Sequence, residues 1–327
     1  MSEPLLKVED LRVEFHTARG IVRAVDGVSF DIYPREAFGL VGETGCGKTV
    51  TGLSILRLIS KPGRITAGRV LLQGEELGAK SDEEMQRIRG GQVSMIFQDP
   101  STSLNPVFSI GSQIERVIRI HQHVSQRQAQ TRALEVLQAV GLPDAQRLLA
   151  SYPHELSGGM QQRVMIAMAL SCRPSLLIAV EPTTALDVTI EAQILELLRD
   201  LRARFGIAIL LITHDLGIVA ETCARLAVLY AGRVAEIGPT EAIFNAPRHP
   251  YTRGLMTAIP RPESRGRALA AIPGTVPSNP GAIPGCAFAS RCAIAQGRCR
   301  AERPVLVEVE LGHSVACFSG SNSGASP

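Results

Sequence analysis

Long apolar runs are missing from this sequence. No uninterrupted apolar stretch approaches the roughly 18 residues that a membrane-crossing helix requires. The opening segment MSEPLLKVED carries acids and no long apolar core, so it does not read as a secretory signal. A basic stripe is also missing: the 34 Lys and Arg residues are scattered and nearly balanced by 31 Asp and Glu. That balance gives nucleic acid no electrostatic footprint to find. There is no internal repeat. These absences point to a soluble cytoplasmic protein that meets a membrane, if at all, through a partner. The 45% apolar and 20% charged composition suits a chain with ample core and argues against disorder.

What is present alternates. LKVEDLRVEF and IVRAVDGVSFDIY read as strands joined by the turn-like TARG. AFGLVG (37–42) is a short apolar run entering a glycine-rich loop, and GKTVTGLSILRLI has helical spacing. VSMIFQ (93–98) is a further strand. From Ile110 to Leu149 apolar residues recur every three or four positions, with Gly141 and Pro143 as a stop. SLLIAV and IAILLIT are continuous apolar runs that suit strands covered on both faces. EAQILELLRDLRARFG between them is an amphipathic helix ended by Gly206. The expected fold class is α/β: a mixed sheet core with an N-terminal antiparallel β subdomain and a helical insertion at about 99–156. The nucleotide-binding domain is expected over 1–258. Residues 259–327 form a small, irregular, Cys-rich extension that begins with a Pro-, Gly- and Ser-rich connector.

GETGCGKT (42–49) fits G-x-x-x-x-G-K-[ST] between a strand and a helix. Gly42, Gly45 and Gly47 allow the backbone of Glu43, Thr44 and Cys46 to turn its N–H groups inward. The helix start at Lys48, Thr49 and Val50 adds positive potential. Lys48 would reach the β- and γ-phosphates of a nucleoside triphosphate, and the Thr49 hydroxyl would ligate Mg²⁺.

LSGGMQQR (156–163) resembles the signature of ATP-binding cassette (ABC) ATPases, with Met160 in place of a glutamine. The resemblance implies that Ser157, Gly158, Gly159, Met160 and Gln161 face the γ-phosphate bound by the other cassette of a dimer. It also implies a Q-loop glutamine at Gln98 that links Mg²⁺ and attacking water to the insertion. A D-loop follows at Ala185, Leu186 and Asp187, and a switch histidine at His214. By position, Phe15 is the candidate to stack on adenine, with a core role as its alternative. VSMIFQDPSTSLNPVFSIGSQI, EPTTALDVTIEAQIL and HPYTRGLMTAIP are similar to ATPase subunits of bacterial dipeptide/oligopeptide importers of the D type. That similarity implies a heterodimer with an F-type ATPase, two membrane permeases, an extracytoplasmic peptide-binding protein, and a place on the cytoplasmic face of the cell membrane.

Cys46, Cys172 and Cys223 are isolated and read as small buried hydrophobes. Cys286, Cys292, Cys299 and Cys317 cluster near the C-terminus. Disulfides are disfavoured in the cytoplasm. Zinc and iron–sulfur both stay open, although the close C-x₂₋₄-C pair usual for structural zinc is absent. The importer resemblance implies a 4Fe–4S cluster on these four thiolates. His313, near Cys317, reads as a solvated loop residue.

A second residue departs from the cassette pattern. At the end of LLIAVEP, Val180 stands where the family carries the Walker B aspartate that orients the water shell of Mg²⁺, while Glu181, which polarises the attacking water, is retained. A valine has no lone pair to offer. The expectation is ATP binding through residues 42–50, with hydrolysis at this chain's own Walker site impaired. Three rival readings remain: a non-hydrolytic regulatory subunit, an importer of another small solute such as nickel, and a soluble cassette ATPase acting on nucleic acid. The last normally carries two cassettes or a long coiled coil, and neither is found here.

Overall fold

A computed structural model describes residues 3–18, 20–184, 187–258, 272–277 and 279–320. The chain divides into two compact units. One is built from Leu6–Ile32, Ala37–Gly78 and Ile212–Pro327, the other from Met1–Leu5, Tyr33–Glu36 and Ala79–Leu211.

The first unit opens with β1 (Leu6–Thr17) and β2 (Gly20–Ile32), an antiparallel hairpin closed by the Thr17 hydroxyl donating to the Gly20 carbonyl at 2.8 Å. The strands thus meet between Thr17 and Gly20, where the composition predicts a turn; Arg19 lies outside the described residues. With β4 (Gly63–Leu72) and β5 (Glu75–Glu76) these strands form a sheet in the order β2-β1-β4-β5. Val8, Leu11 and Val13 of β1 and Val25, Val28 and Phe30 of β2 supply its buried face. The second set of strands in this unit is mixed. β3 (Ala37–Val41) runs parallel to β9 (Arg225–Tyr230). β10 (Arg233–Pro239) is antiparallel to β9, and β12 (His313–Val315) pairs β10 with β11 (Val307–Glu310) at the edge. β3 is buried at all five positions, as a strand covered on both faces should be. The helices here are α1 (Lys48–Ile55), α9 (Leu216–Thr222), α10 (Thr240–Asn245), α11 (Pro250–Ala258) and α12 (Gly297–Ala301). Helical spacing carries past Ile55 in the sequence, but the helix stops there because Arg57 takes a left-handed φ of 53°.

The second unit holds β6 (Val93–Ile96) parallel to β7 (Leu176–Val180). β8 (Ala208–Thr213) begins in this unit, where the Ala208 amide donates to the Ser175 carbonyl at 2.9 Å. β7 and β8 are buried along their whole lengths, as their apolar runs predict. The helices are α2 (Asp82–Ile88), α3 (Pro100–Ser103), α4 (Ile110–Gln122), α5 (Gln126–Ala139), α6 (Ala145–Leu148), α7 (Gly158–Leu170) and α8 (Val188–Phe205). α3 to α6 occupy the stretch expected to be a helical insertion. Gly141 (φ 70°) ends α5, and Gly206 (φ 66°) caps α8, the left-handed geometry that glycine supplies without strain. Of the Pro-rich connector, residues 259–271 and 278 lie outside the described residues.

Candidate nucleotide site

β3 delivers the chain into the loop Gly42–Gly47, and α1 carries it away. Two positions explain why the loop is glycine-rich. Gly42 has φ 148°, and a Cβ there would lie 2.2 Å from the Leu229 carbonyl oxygen of β9. Gly47 has φ 104°, and its Cβ would lie 2.5 Å from the Ala24 carbonyl oxygen. No side chain fits either place. Lys48 is buried, and its ammonium donates to the carbonyls of Gly42 at 2.6 Å and Glu43 at 3.1 Å. Thr44, Gly45 and Thr49 are exposed on the same turn. Backbone amides turned inward at a helix start, with a lysine folded across them, form an anion-binding cradle. Cys46 is fully buried, and burial pushes its thiol pKa up, so it packs as a hydrophobe rather than a nucleophile.

The Glu43 carboxylate does not face the cradle. It takes both terminal nitrogens of Arg291, at 2.7 and 2.9 Å, while its amide donates to the Tyr251 hydroxyl at 2.8 Å. Tyr251 is fully buried against the rings of Tyr230 and Phe288. Neither Arg291 nor Tyr251 is legible as a loop partner in the sequence, because no spacing rule links positions so far apart.

Phe15 is half-buried on β1, opposite Gly63 of β4, and a Cβ at Gly63 would lie 2.7 Å from its ring. The ring thus lies against the strand backbone. His214 is exposed just after β8, and the neighbouring Asp215 caps α9 by accepting from Gly217 N at 2.7 Å and Ile218 N at 3.2 Å.

In the other unit, β7 ends at Val180, which is 3% exposed. Glu181 follows with a left-handed φ of 44°, and its carboxylate accepts from the Thr184 hydroxyl at 3.0 Å. Thr183 donates to Glu191 at 2.6 Å, which fixes the far side of this turn onto α8. Ala185 and Leu186 lie outside the described residues; Asp187 is exposed at the start of α8 without capping it through its side chain. Gln98 is exposed beyond β6. Ser157 caps α7 by accepting from Met160 N at 3.4 Å, which leaves the Gly158 and Gly159 backbone at an open helix start. Gln161 turns away, donating to the carbonyls of Pro153 at 2.8 Å and Leu156 at 3.3 Å. Its neighbour Gln162, which nothing in the sequence singled out, is buried and donates to the Pro182 carbonyl at 2.5 Å. It ties α7 to the turn after β7.

The four C-terminal cysteines line one pocket of about 20 Å³, beside His249 and Phe288. That volume admits about one water. Burial pushes the Cys286 and Cys292 thiols up. Among the described residues, no three His, Cys, Asp or Glu side chains are grouped so as to hold a metal. The four thiols singled out in the sequence thus line one pocket, and no metal-binding group is found among them. His313 is also not solvated: it is 1% exposed and bonded through Nε2 to buried Glu236 at 2.8 Å.

Comparison with known proteins bears on this arrangement. The family model "ABC transporter" matches residues 25–184, and "Oligopeptide/dipeptide transporter, C-terminal region" matches 235–299. The probable peptide ABC transporter ATP-binding protein y4tR of Sinorhizobium fredii is 51% identical over 316 residues, covering 96% of this chain and 94% of that protein. The chain belongs to the ATP-binding subunits of oligopeptide/dipeptide ABC transporters. The oligopeptide transport ATP-binding protein AppD of Bacillus subtilis is 48% identical over 322 residues, covering 98% of each. Among solved structures, the dimeric post-hydrolysis state of the cassette MJ0796 bound to ADP and phosphate superposes with a TM-score of 0.65 at 27% identity. It covers 72% of this chain and 98% of that one. The fold is thus the P-loop ABC cassette with a mixed sheet. Among the described residues, no helix is long and apolar enough to cross a membrane.

Proposed function

We propose that this ABC subunit energises the import of di- and oligopeptides through a membrane permease, with its own Walker site impaired in hydrolysis by Val180. The observation that carries the second half is the apolar, 3% exposed side chain immediately before Glu181. The relatives named for peptide transport support the first half.

Lys48 leaves the Gly42 and Glu43 carbonyls and takes the β- and γ-phosphates, while the loop amides from Glu43 to Val50 surround them. Bound Mg²⁺ would neutralise phosphate charge, and Thr49 and Gln98 are the residues whose side-chain oxygens this chain would offer it. Glu181 and His214 are the groups that would orient water and γ-phosphate. Phe15, near the C-terminal end of β1, is the ring this reading offers to adenine. Ser157, Gly158, Gly159 and Met160 complete the site of the second subunit, and Asp187 lines the seam. Gln161 supports that turn from behind through its bonds to Pro153 and Leu156. ATP binding closes the dimer, and hydrolysis reopens it. The helices of 99–156 pass the motion to the permease.

The partners in this reading are an F-type ATPase subunit, two permeases and an extracytoplasmic peptide-binding protein, with this chain peripheral on the cytoplasmic face. In it Cys286, Cys292, Cys299 and Cys317 are the thiolates that a 4Fe–4S cluster would use. Their lining of one pocket supports this.

The test is ATP turnover in the reconstituted transporter, with the partner's catalytic glutamate mutated so that only this chain's site is read. Turnover that appears only with Val180→Asp supports the reading; equal turnover of both forms defeats the impaired half. Peptide uptake by the intact complex checks the rest. A second reading, a subunit that binds ATP and never hydrolyses it, is favoured by the same Val180. It is distinguished by Val180→Asp failing to gain turnover.

A further inference from the structure

The C-terminal region looks like an addition to the cassette, but one of its residues reaches back to the phosphate loop. Arg291, immediately before Cys292, is 4% exposed and grips Glu43, a loop residue 248 positions earlier. The grip is bidentate, the strongest form of guanidinium–carboxylate contact. The rest of the guanidinium is fixed as well. Its Nε donates to the Pro273 carbonyl at 2.8 Å, and one terminal nitrogen donates to the Ile272 carbonyl at 3.2 Å. The group also lies 5.8 and 5.9 Å from the ring centres of Tyr230 and Phe288.

Glu43 is therefore held at both ends, its carboxylate by Arg291 and its amide by the Tyr251 hydroxyl. Its carbonyl is one of the two carbonyl acceptors of Lys48. Wherever Glu43 sits, the lysine and the amides that follow it must be placed accordingly. A surface ion pair would be worth little here. This one is buried on the arginine side and preorganised by four other contacts, so little ordering remains to be done when an anion arrives.

We infer that Arg291 is a positioning residue of the nucleotide site: it holds the phosphate loop in its anion-binding shape by clamping Glu43. The inference rests on residues 42–49 being the loop that binds ATP. It makes the thiol-bearing segment a structural support of nucleotide affinity in this chain.

The experiment measures the ATP dissociation constant of the full chain, with Mg²⁺, alongside the thermal midpoint of each variant. Arg291→Ala is expected to weaken ATP binding about tenfold, the lower end of what a partner that orients a binding group contributes. Glu43→Ala should give a similar loss. The double variant should lose no more than either single one, the mark of two groups acting through one contact. Arg291→Lys should recover part of the affinity, because it keeps the charge and loses the fork. The inference is overturned if Arg291→Ala binds ATP as the parent does, or if its loss persists undiminished when Glu43 is already alanine. Should Arg291→Ala fail to fold, Arg291→Lys and Glu43→Gln decide: parental affinity in both overturns it, and weakened binding at an unchanged thermal midpoint sustains it. A parent that binds no ATP brings down the loop assignment, and this inference with it.

Discussion

The carboxamide of Gln162 donates to the carbonyl oxygen of Pro182 at 2.5 Å, in a place where Gln162 is 1% exposed. One buried hydrogen bond thereby joins the helix that begins at Ser157 to the turn that carries Glu181. Gln162→Leu keeps approximate volume and leaves that carbonyl without its donor. The expected loss is about 1–2 kcal/mol of unfolding free energy, the desolvation cost of an orphaned buried acceptor. Amide exchange at Thr183 and Thr184 should quicken at the same time. Exchange there that matches the parent would show that the turn is held by Thr183–Glu191 alone.

Val180→Asp places a carboxylate at the end of a fully buried strand. Without Mg²⁺ and nucleotide the variant should melt below the parent, because a buried charge lacks its partner. With both ligands the order should reverse or close, as metal binding favours the ionised form. Single-site turnover should rise by about 10-fold or more, on the scale of groups that orient a metal's ligands. A variant that melts low under both conditions and gains no turnover would remove Val180 as the cause.

Asp26, 3% exposed, receives Arg12, Arg233 and Arg303 at 3.0, 2.6 and 3.3 Å. Burial works to raise its pKa, but the bond from Arg233 and the nearby charges of Arg12 and Arg303 leave it below the ordinary carboxylate value. Its folded pKa is thus lower than its unfolded one. The stabilisation is complete above about pH 4 and is lost as pH falls through the folded value. Asp26→Asn should cost about 2 kcal/mol at neutral pH, below the figure for a wholly buried pair because the arginines are part-exposed. It should also flatten the acid limb of the stability curve. A parallel acid limb in both proteins would assign acid lability elsewhere.

Chain purified without oxygen should carry four irons and matching sulfide if the C-terminal thiols hold a 4Fe–4S cluster. Cys292→Ser should then lose them together with the visible absorption. Zinc at one per chain, or no metal in the intact complex, would reject the iron–sulfur reading.

Much of the architecture was legible because it has local causes. The apolar runs at 176–180 and 208–213 are buried throughout, β1 and β2 pair as a hairpin, and Gly206 takes the left-handed φ that ends α8. The loop at 42–49 was legible because its glycines answer to backbone geometry that the motif itself encodes. Arg291, Tyr251 and Gln162 were not, since each acts on a residue distant in sequence and leaves no period behind. His313 was misread for a related reason. A polar residue between glycine and serine looks solvated until β12 pairs with β10 and brings Glu236 to it. Gln161 was read for its place in the signature, although the turn of the helix sends its side chain back to Pro153.

The shape of the phosphate loop is bordered by strand β9. Gly42 abuts the Leu229 carbonyl, Gly232 donates its amide to the Cys46 carbonyl at 2.9 Å, and β3 pairs with β9 from Phe38↔Arg225 to Val41↔Val228. During synthesis, which releases the N-terminal part first, residues 42–49 leave the ribosome well before any of these neighbours exist. A nascent chain ending before Arg225 holds the complete loop sequence without the walls that mould it, and should fail to retain labelled ATP where the finished chain retains it. Translation order thus acts as a timer on the subunit: it becomes a nucleotide binder only when most of it has been made.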